Sequence, residues 1–356
     1  MCATRKVLTQ SELCNSRSVQ ARGRPITMLV AACAAVPVQK RLLPLLARPA
    51  SASACPPGAT FVSLVSNESY VPGALCLVRA MRKLGGTCPF LLLLDDLPAP
   101  PGAHVALSAA STSSLAQAYG GRTQLLPLSA LQARLVAHTH NASGAGHRRR
   151  LRTLHPTGWV QNTHRKLLLW ALPGFSKVVF LDIDILIVAN VDALLREAPF
   201  AAAAALPYAT SLFNSGVMVL SPSLATAAAL QSLSASTGAG AHGAKSASTS
   251  VAPRIRGALE SRGTGHLSDQ SILNHHFKGR WRQLPYGYNV GHKVHAVNRK
   301  LWGQIELASI HFVGRPKPWE VEPGSYRPGR GAPDATLTRR WHDSCGGEAA
   351  ARSPTS

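Results

Sequence analysis

Two aspartates interrupt an apolar stretch that otherwise predicts a buried β-strand. In the segment KVVFLDIDILIV, Asp182 and Asp184 stand at the end of the apolar run Val178 to Ile183. An unpartnered buried carboxylate costs several kcal/mol, and side chains two residues apart on a strand point to the same side. The pattern therefore indicates a divalent-cation site, and oxygen ligands favour Mn²⁺ or Mg²⁺. The competing interpretation is that both acids end the strand and cap the next turn.

Strands and helices must alternate around these aspartates. A strand from Thr60 to Val65, a polar turn, a helix from Ala74 to Leu84 and a strand from Phe90 to Leu94 form a predicted βαβ unit. Ligands in open α/β sheets bind beyond the carboxyl ends of strands, so the turn after Val65 is a candidate binding segment. We expect an α/β fold that includes this unit.

Regular structure also continues on both sides of the aspartates. A helix ending at Pro173-Gly174 should precede their strand, and LFNSGVMVLSPS predicts a polar turn that enters a strand. Further along, Ser268 should cap a helix that begins with Asp269 and Gln270.

Four segments fall outside this pattern. Residues 1–58 are expected to be a basic leader, 321–356 a flexible tail, and two loop insertions should lie near 136–156 and 231–262. His138, His140 and His147 lack an acid or cysteine that would complete a metal set, which favours a loop. Gln231 to Ser250 is rich in Ala, Ser and Gly, so we expect it outside the core.

The charge balance suits an anionic partner. The 356 residues include 38 Lys+Arg and 16 Asp+Glu, a formal net charge of +22. Eight of these bases and one acid lie before residue 55, a make-up typical of a targeting peptide. It suggests a plastid, a mitochondrion or the secretory pathway and Golgi, with the cytoplasm as the remaining alternative. The apolar run Ile26 to Val38 is shorter than the roughly 20 residues that span a bilayer, and membrane association stays open.

The cysteines do not resolve the compartment. The chain has seven cysteines and no C-x-x-C pair. Their spacing predicts neither a metal site nor a disulfide framework, so the redox environment stays open.

Five short motifs occur in an order that resembles glycosyltransferase family 8. They are FLDIDILIVANVDALL, FNSGVMVLSPS, DQSILN, LPYGYN and HFVGRPKPW, and the resemblance covers roughly Thr60 to Trp319. The likeness is to glycogenin and to the plant glucuronosyltransferases and galactinol synthases. It implies a single Rossmann-like nucleotide-diphospho-sugar transferase domain of GT-A type over 59–320, with a mixed, mostly parallel sheet flanked by helices. The implied reaction retains anomeric configuration and moves a hexosyl or hexuronosyl group from a UDP-sugar, with Mn²⁺, to a carbohydrate, polyol or glycolipid acceptor.

The resemblance also implies roles for single residues. The metal ligands would be Asp182, Asp184 and His311. Asp269 and Gln270 would lie beside the reacting carbon, and Lys317 would contact the phosphates. The donor-binding residues would be Leu64, Ser66, Asn67, Tyr70, Lys166, Asp182, Ile183, Asp184, Asn214, Ser215, Gly314 and Lys317.

Two positions depart from the glycogenin pattern, where Leu206-Pro207 and His266 replace acidic residues. Both changes concern the choice of sugar and acceptor. The span from Val290 to Ile310 also contains no Tyr, whereas glycogenin glucosylates its own tyrosine there. We therefore expect a separate carbohydrate-type acceptor and no self-glucosylation, with the oligomeric state left open.

The alternative function is that of a catalytically degenerate scaffold, which would serve as a basic glycan- or nucleic-acid-binding protein. The intact acid, histidine and lysine positions favour an enzyme. The basic residues are not interleaved with aromatic ones, so we expect no nucleic-acid partner.

Overall fold

The computed structural model describes residues 55–97, 107–142, 164–205, 209–238, 268–322 and 334–345. The expected leader before Cys55, most of both expected insertions, and the departures at Leu206-Pro207 and His266 lie outside these residues. Within the described ranges, no helix is long and apolar enough to cross a bilayer.

Two β-sheets form the framework. The strands are β1 Ala59–Val65, β2 Phe90–Leu94, β3 Thr123–Pro127, β4 Lys177–Leu181, β5 Ile185–Ile187, β6 Ala201–Ala205, β7 Ala209–Leu220, β8 Arg282–Leu284, β9 Val290–Gly291 and β10 Ser309–His311. Seven of them form the main sheet in the order β3-β2-β1-β4-β7-β6-β8, and the other three form a small sheet in the order β5-β10-β9.

The main sheet is mixed and mostly parallel. Strands β3, β2, β1 and β4 run parallel to one another. Strand β7 runs antiparallel to β4 and β6, and β8 is parallel to β6. This arrangement confirms the α/β fold class expected from the sequence.

Helices cover both faces of the main sheet. They are α1 Val71–Lys83, α2 Ala109–Gln117, α3 Leu128–Ala142, α4 Leu224–Gly238, α5 Asp269–His276, α6 Lys293–Val297, α7 Arg299–Trp302 and α8 Ala335–Cys345, with 3₁₀ helices at Glu68–Tyr70, Arg165–Ala171, Asp192–Arg196, Tyr286–Tyr288 and Pro318–Glu320. Alternate residues of β1 face opposite sides: Phe61 packs with α1 and α2, while Val62 packs with α3, α4 and α5. Apolar residues are therefore needed on both sides of the strand, which explains why apolar residues occur at consecutive positions of β1, such as Phe61 and Val62.

The predicted βαβ unit is confirmed. Strand β1 pairs in parallel with β2 across the intervening α1. Gly85 follows the end of α1 with φ 78°, a left-handed conformation that glycine adopts readily. The cap at Ser268 is also confirmed, because its side chain accepts a hydrogen bond from the Ser271 amide at the start of α5.

The described residues at the start of both expected insertions are helical. Helix α3 continues to Ala142, so residues 136–142 are helical. Helix α4 continues to Gly238, with Leu233 packed against the core and the Ser234 hydroxyl 2.8 Å from His164 Nδ1. The expectation that Gln231 begins a loop outside the core is wrong for residues 231–234. Residues 231–238 read QSLSASTG, a segment of modest helix propensity, but they continue the helix that begins in the Ala-rich segment LATAAAL, and contacts of Leu233 and Ser234 hold them.

The expectation of a flexible tail differs from the structure at residues 334–345. These residues include α8, which buries Leu337 and Trp341 in a cluster with Cys76 of α1 and Ile310 of β10. Within 321–356, the only other described residues are 321 and 322.

Two disulfides correct the prediction that the cysteines form no framework. Cys55 is bonded to Cys88, and Cys76 is bonded to Cys345. The partners are 33 and 269 residues apart in the sequence. Spacing could not reveal these pairs because folding, rather than sequence proximity, brings the cysteines together.

Candidate metal and donor site

A tight turn, rather than a strand, presents the two aspartates. Strand β4 ends at Leu181 and β5 begins at Ile185, so Asp182 and Asp184 lie in the connection between them. The Ile185 amide donates to the Asp182 carbonyl at 3.2 Å, which closes the turn. The expected strand alternation is therefore wrong in detail, although both side chains do reach one site.

The small sheet brings a histidine to this turn. Strand β10 pairs antiparallel with β5 and sets His311 opposite Ile185. Its Nε2 lies 3.1 Å from Asp184 Oδ1 and 3.7 Å from Asp182 Oδ2. One ligand atom from each of the three residues lies within 4.8 Å of the others.

Each aspartate also meets a lysine. Lys166, from the 3₁₀ helix Arg165–Ala171, places Nζ 2.8 Å from Asp182 and 3.3 Å from Asp269. Lys317 places Nζ 2.5 Å from Asp184 and donates to the Phe312 carbonyl at 3.1 Å. Two ammonium groups thus offset much of the charge of the partly buried carboxylates.

The two aspartates have opposite pKa shifts. Burial raises the pKa of Asp182, and the neighbouring Asp184 raises it further against the opposing effect of Lys166. Burial also disfavours ionised Asp184, but His311 and Lys317 outweigh burial and lower its pKa. Burial disfavours the charged ammonium of Lys166, yet Asp182 and Asp269 raise its pKa overall.

The donor set fits a hard divalent cation. Two carboxylates and one imidazole converge from β10 and the turn after β4, and His311 is 4% exposed. Carboxylate oxygen suits Mg²⁺ and Mn²⁺, and imidazole also binds first-row transition metals, so the set could hold a divalent cation. These residues would hold the cation that the sequence predicted.

A bulge in β7 forms the neighbouring wall. Strand β7 pairs with β6 at Phe213 and at Met218 with a shift of register between them, so the Asn214-Ser215-Gly216 segment bulges beside the end of β4. The expected polar turn is therefore part of a strand. The Asp182 amide donates to the Gly216 carbonyl at 2.8 Å, which fixes the bulge against the aspartate turn.

Helix α5 places its first turn against this bulge. The Ser215 hydroxyl donates to Asp269 Oδ2 at 2.8 Å, and the Asn214 amide donates to Gln270 Oε1 at 3.0 Å. Asp269 is 4% exposed and is also paired with Lys166. The structure thus brings Asn214, Ser215, Asp269 and Gln270 together, as the resemblance implied.

The turn after Val65 contacts the segment that follows His311. Trp319 Nε1 donates to the Ser69 carbonyl at 2.9 Å, and its ring packs edge-on against Tyr70 with centroids 6.0 Å apart. The Arg315 guanidinium lies 5.8 Å from the centre of the Tyr70 ring. Gly314, with φ 98°, turns the chain between His311 and these contacts.

Not every implied donor residue offers a free side chain. Leu64 is packed in the core, and Ile183 is 8% exposed. The Asn67 side chain accepts from the Ser69 amide at 3.0 Å and its hydroxyl at 2.6 Å. At these three positions the backbone is the better candidate for donor contact. Ser66 lies at the end of β1, in the same turn.

Two residues with structural roles at the site were not assigned from the sequence. Asn289 contacts His311 Nδ1 at 2.8 Å, and Trp319 donates a hydrogen bond to the Ser69 carbonyl in the turn after Val65. Both stand inside the motifs LPYGYN and HFVGRPKPW. Their positions in motifs were a usable signal, but their partners come from distant parts of the chain.

Comparisons with known proteins agree with the resemblance. No protein-family model matches the chain. It is 26% identical over 284 residues to "Glycogenin" of Neurospora crassa, a match covering 79% of this chain and 34% of that protein. It is 28% identical over 163 residues to "Putative UDP-glucuronate:xylan alpha-glucuronosyltransferase 3" of Arabidopsis thaliana, covering 46% of this chain and 21% of that protein. The chain thus spans about a third or less of the length of either relative.

A solved structure also resembles the chain. The glycosyltransferase GlyE of Streptococcus pneumoniae TIGR4 aligns with a TM-score of 0.48 and 16% identity, over 80% of this chain and 59% of that one.

Proposed function

We propose that this chain, a glycogenin-like member of glycosyltransferase family 8, is an active Mn²⁺-dependent enzyme that transfers a hexosyl or hexuronosyl group from a UDP-sugar to a separate carbohydrate-type acceptor. The observation that carries the proposal is the convergence of Asp182, Asp184 and His311 beside Lys317. A scaffold that had lost catalysis would have no physical reason to keep these partly buried charges together.

The proposed chemistry needs stabilisation of negative charge on the leaving diphosphate. A cation bound by Asp182, Asp184 and His311 would act as a Lewis acid toward the diphosphate oxygens. The Lys317 ammonium is held beside Asp184 by its second contact, with the Phe312 carbonyl. It would supply a fixed positive charge to the same phosphates. Gly314, in the same segment, leaves room for the chain to approach them.

The sugar would lie between the bulge of β7 and the start of α5. Asn214 and Gln270 offer amide groups there, and Ser215 holds Asp269 through a hydrogen bond. Asp269 is a carboxylate on this wall, and its contacts with Lys166 and Ser215 favour a positioning role over covalent attack. Asn67 and Tyr70 would form the uridine end of the pocket, with Trp319 behind them.

We also propose that the protein folds in an oxidising compartment. This favours the secretory pathway over a plastid, a mitochondrion or the cytoplasm. Disulfides persist in secreted and lumenal proteins and are rare in the cytosol. The pairs Cys55–Cys88 and Cys76–Cys345 support this location. Mass spectrometry with thiol alkylation, with and without reductant, should show both cross-linked peptides in protein from the native host. Four alkylated cysteines at these positions without reductant would contradict the proposal.

The function is tested by sugar-dependent release of UDP. Purified protein with Mn²⁺ is incubated with UDP-glucose, UDP-galactose, UDP-xylose or UDP-glucuronate, each with a panel of oligosaccharide and polyol acceptors. We expect UDP release and a glycosylated product with one donor class. Tight UDP binding without turnover of any donor would favour the degenerate binding scaffold.

The metal assignment has a matched pair of variants. Asp184→Asn removes one charged ligand, so Mn²⁺ and UDP binding should weaken together and transfer should fall by orders of magnitude. Asp343→Asn removes the same charge from the exposed side of α8 and should change neither. Calorimetry of UDP with Mn²⁺ or with chelator makes the measurement. Equal UDP affinity of the wild type in both conditions would refute the metal role.

A further inference from the structure

Three side-chain amides form a continuous chain of hydrogen bonds behind the candidate metal site. Asn289 Oδ1 lies 2.8 Å from His311 Nδ1, and Asn289 Nδ2 lies 2.8 Å from Asn214 Oδ1. Asn214 Nδ2 in turn lies 3.0 Å from Gln270 Oε1. Asn289 is 3% exposed, so solvent does not replace these partners. We call Asn289, Asn214 and Gln270 the amide relay.

Two backbone amides fix the direction of every hydrogen bond in the amide relay. A backbone N–H can only donate, and the Gly216 amide lies 2.9 Å from Asn214, so the side-chain atom that it meets is the oxygen. The Ser215 amide identifies the Gln270 oxygen in the same way, at 3.3 Å. Asn289 must therefore turn its NH₂ group toward Asn214 and its oxygen toward His311.

The orientation of Asn289 decides the tautomer of His311. The Asn289 oxygen can only accept, so His311 Nδ1 must carry a proton. With Nδ1 protonated, Nε2 is the ring atom left for Asp184, which it faces at 3.1 Å. Without a metal, Nε2 can also carry a proton and donate it to that carboxylate, and an unprotonated Nε2 can coordinate a metal. Outer hydrogen bonds of this kind set the orientation of metal-binding histidines.

We propose that Asn289 is a positioning residue that holds His311 in its Nδ1–H tautomer and couples it, through Asn214, to Gln270 on the sugar side. The inference rests on the proposed function, because it concerns the same site. Its physical basis is that the buried side-chain amide of Asn289 accepts from His311 on the metal side and donates to Asn214 on the sugar side. Loss of Asn289 would leave His311 Nδ1 and Asn214 Oδ1 each without that partner.

Two substitutions separate the two halves of this role. Asn289→Leu removes both hydrogen bonds at similar volume. Asn289→Asp keeps an acceptor for His311 but turns an oxygen toward Asn214 Oδ1, which breaks only the link to the sugar side. Asn298→Ala is the control, since the Asn298 side chain caps the nearby α7 by accepting a hydrogen bond from the Leu301 amide.

The first measurement needs no metal and no activity. Two-dimensional ¹H–¹⁵N NMR of the metal-free protein reports the His311 tautomer, and the His311→Gln variant assigns its signals. The wild type and Asn289→Asp should keep Nδ1 protonated, with or without a second proton on Nε2 facing Asp184, while Asn289→Leu should show a population in which Nδ1 has lost its proton. A fully protonated Nδ1 in Asn289→Leu would overturn the inference.

The second measurement is Mn²⁺ affinity in the presence of UDP. Asn289→Leu should weaken it about 10- to 100-fold, the usual effect of removing such a partner. Asn289→Asp should retain Mn²⁺ binding yet lower kcat, whereas Asn298→Ala should lower the melting temperature alone. Unchanged Mn²⁺ affinity in Asn289→Leu contradicts the inference. Absence of Mn²⁺ binding in the wild type contradicts the proposed function instead, and the NMR result then decides the inference by itself.

Discussion

Gly216 occupies a position where no side chain fits. A Cβ atom built there would lie 2.4 Å from His311 Cε1 and 2.6 Å from Nδ1, and 2.8 Å from Asn214 Oδ1. Its backbone also accepts from Asp182 and donates to Asn214. One glycine therefore lets the metal ligands and the sugar wall approach each other.

We predict that Gly216→Ala damages the site as well as the fold. His311 or the bulge of β7 must move, and such overpacking typically costs about 1–3 kcal/mol of unfolding free energy. Mn²⁺ and UDP binding should weaken in parallel, as measured by calorimetry beside urea denaturation. Gly291→Ala is the matched control, because Gly291 pairs with His311 in the small sheet yet a Cβ there meets nothing within 4 Å. Equal behaviour of the two variants would argue against close packing at Gly216.

At the scale of elements, Glu68 joins the turn after Val65 to the start of α2. Its carboxylate accepts from the Ser108 amide and hydroxyl, each at 3.1 Å, and from the Ser111 hydroxyl. Burial alone would raise the pKa of Glu68, but these hydrogen bonds lower it overall. The ionised carboxylate thus holds the start of α2 against the Glu68–Tyr70 helix.

The Glu68 contacts predict a pH-dependent stability difference. A carboxyl group whose pKa is lowered by folding stabilises the fold above its unfolded pKa, near 4.5, and this contribution is lost as pH falls through the folded value. The Glu68→Gln variant should be less stable than the wild type at pH 7, and the difference should shrink in acid below pH 4.5. Urea midpoints across this range measure it. Glu306→Gln, at an exposed carboxylate, should show no such trend, and a constant Glu68→Gln difference would speak against the carboxylate role.

The extent of α4 leads to a deletion experiment. Replacing residues 231–250 by a short Gly/Ser link removes Leu233 from the core and Ser234 from His164, so the melting temperature should fall. Replacing only 239–250 retains those contacts and should leave the melting temperature nearly unchanged, since surface-loop length has a small entropic cost. Two deletions with the same melting temperature would mean that residues 231–238 add little to the fold.

At the scale of the whole molecule, the metal and sugar sides of the candidate site draw on residues from Lys166 to Lys317. The turn after β4, the bulge of β7, the start of α5 and the end of β10 all meet at one place. The C-terminal α8 stabilises this arrangement from behind, because Trp341 packs against Trp319 with centroids 5.7 Å apart. The Cys76–Cys345 disulfide ties the same helix to α1.

We predict that the chain does not glycosylate itself in the manner of glycogenin. Residues 290–310 contain no Tyr, and Ser309 in this span is buried with its hydroxyl bonded to the Tyr288 carbonyl at 2.6 Å. Intact-protein mass spectrometry after incubation with Mn²⁺ and each UDP-sugar should show one unmodified mass, with free acceptor as the glycosylated species. A ladder of hexose additions on the chain would reverse this conclusion.

The sequence by itself determined the α/β class, the βαβ start and the identity of the metal-binding candidates. These features have local signatures: apolar runs, a capping serine at Ser268, and acids in place of expected apolar residues. The motif order linked Asp182, Asp184 and His311 although they lie far apart in the chain. The same reasoning failed where composition was ambiguous, as in the Ser-rich start of the expected insertion at Gln231.

Only the tertiary structure decided which side chains satisfy one another. The turn between β4 and β5, the pairing of His311 beside it, the amide relay and both disulfides depend on strand register and on contacts between distant segments. Asn289 illustrates the difference, because its type is compatible with a turn or a cap, while its role follows from His311 on one side and Asn214 on the other. Hydrogen-bond partners across a fold leave no periodic pattern in the sequence, since each depends on the packing of all the elements between them.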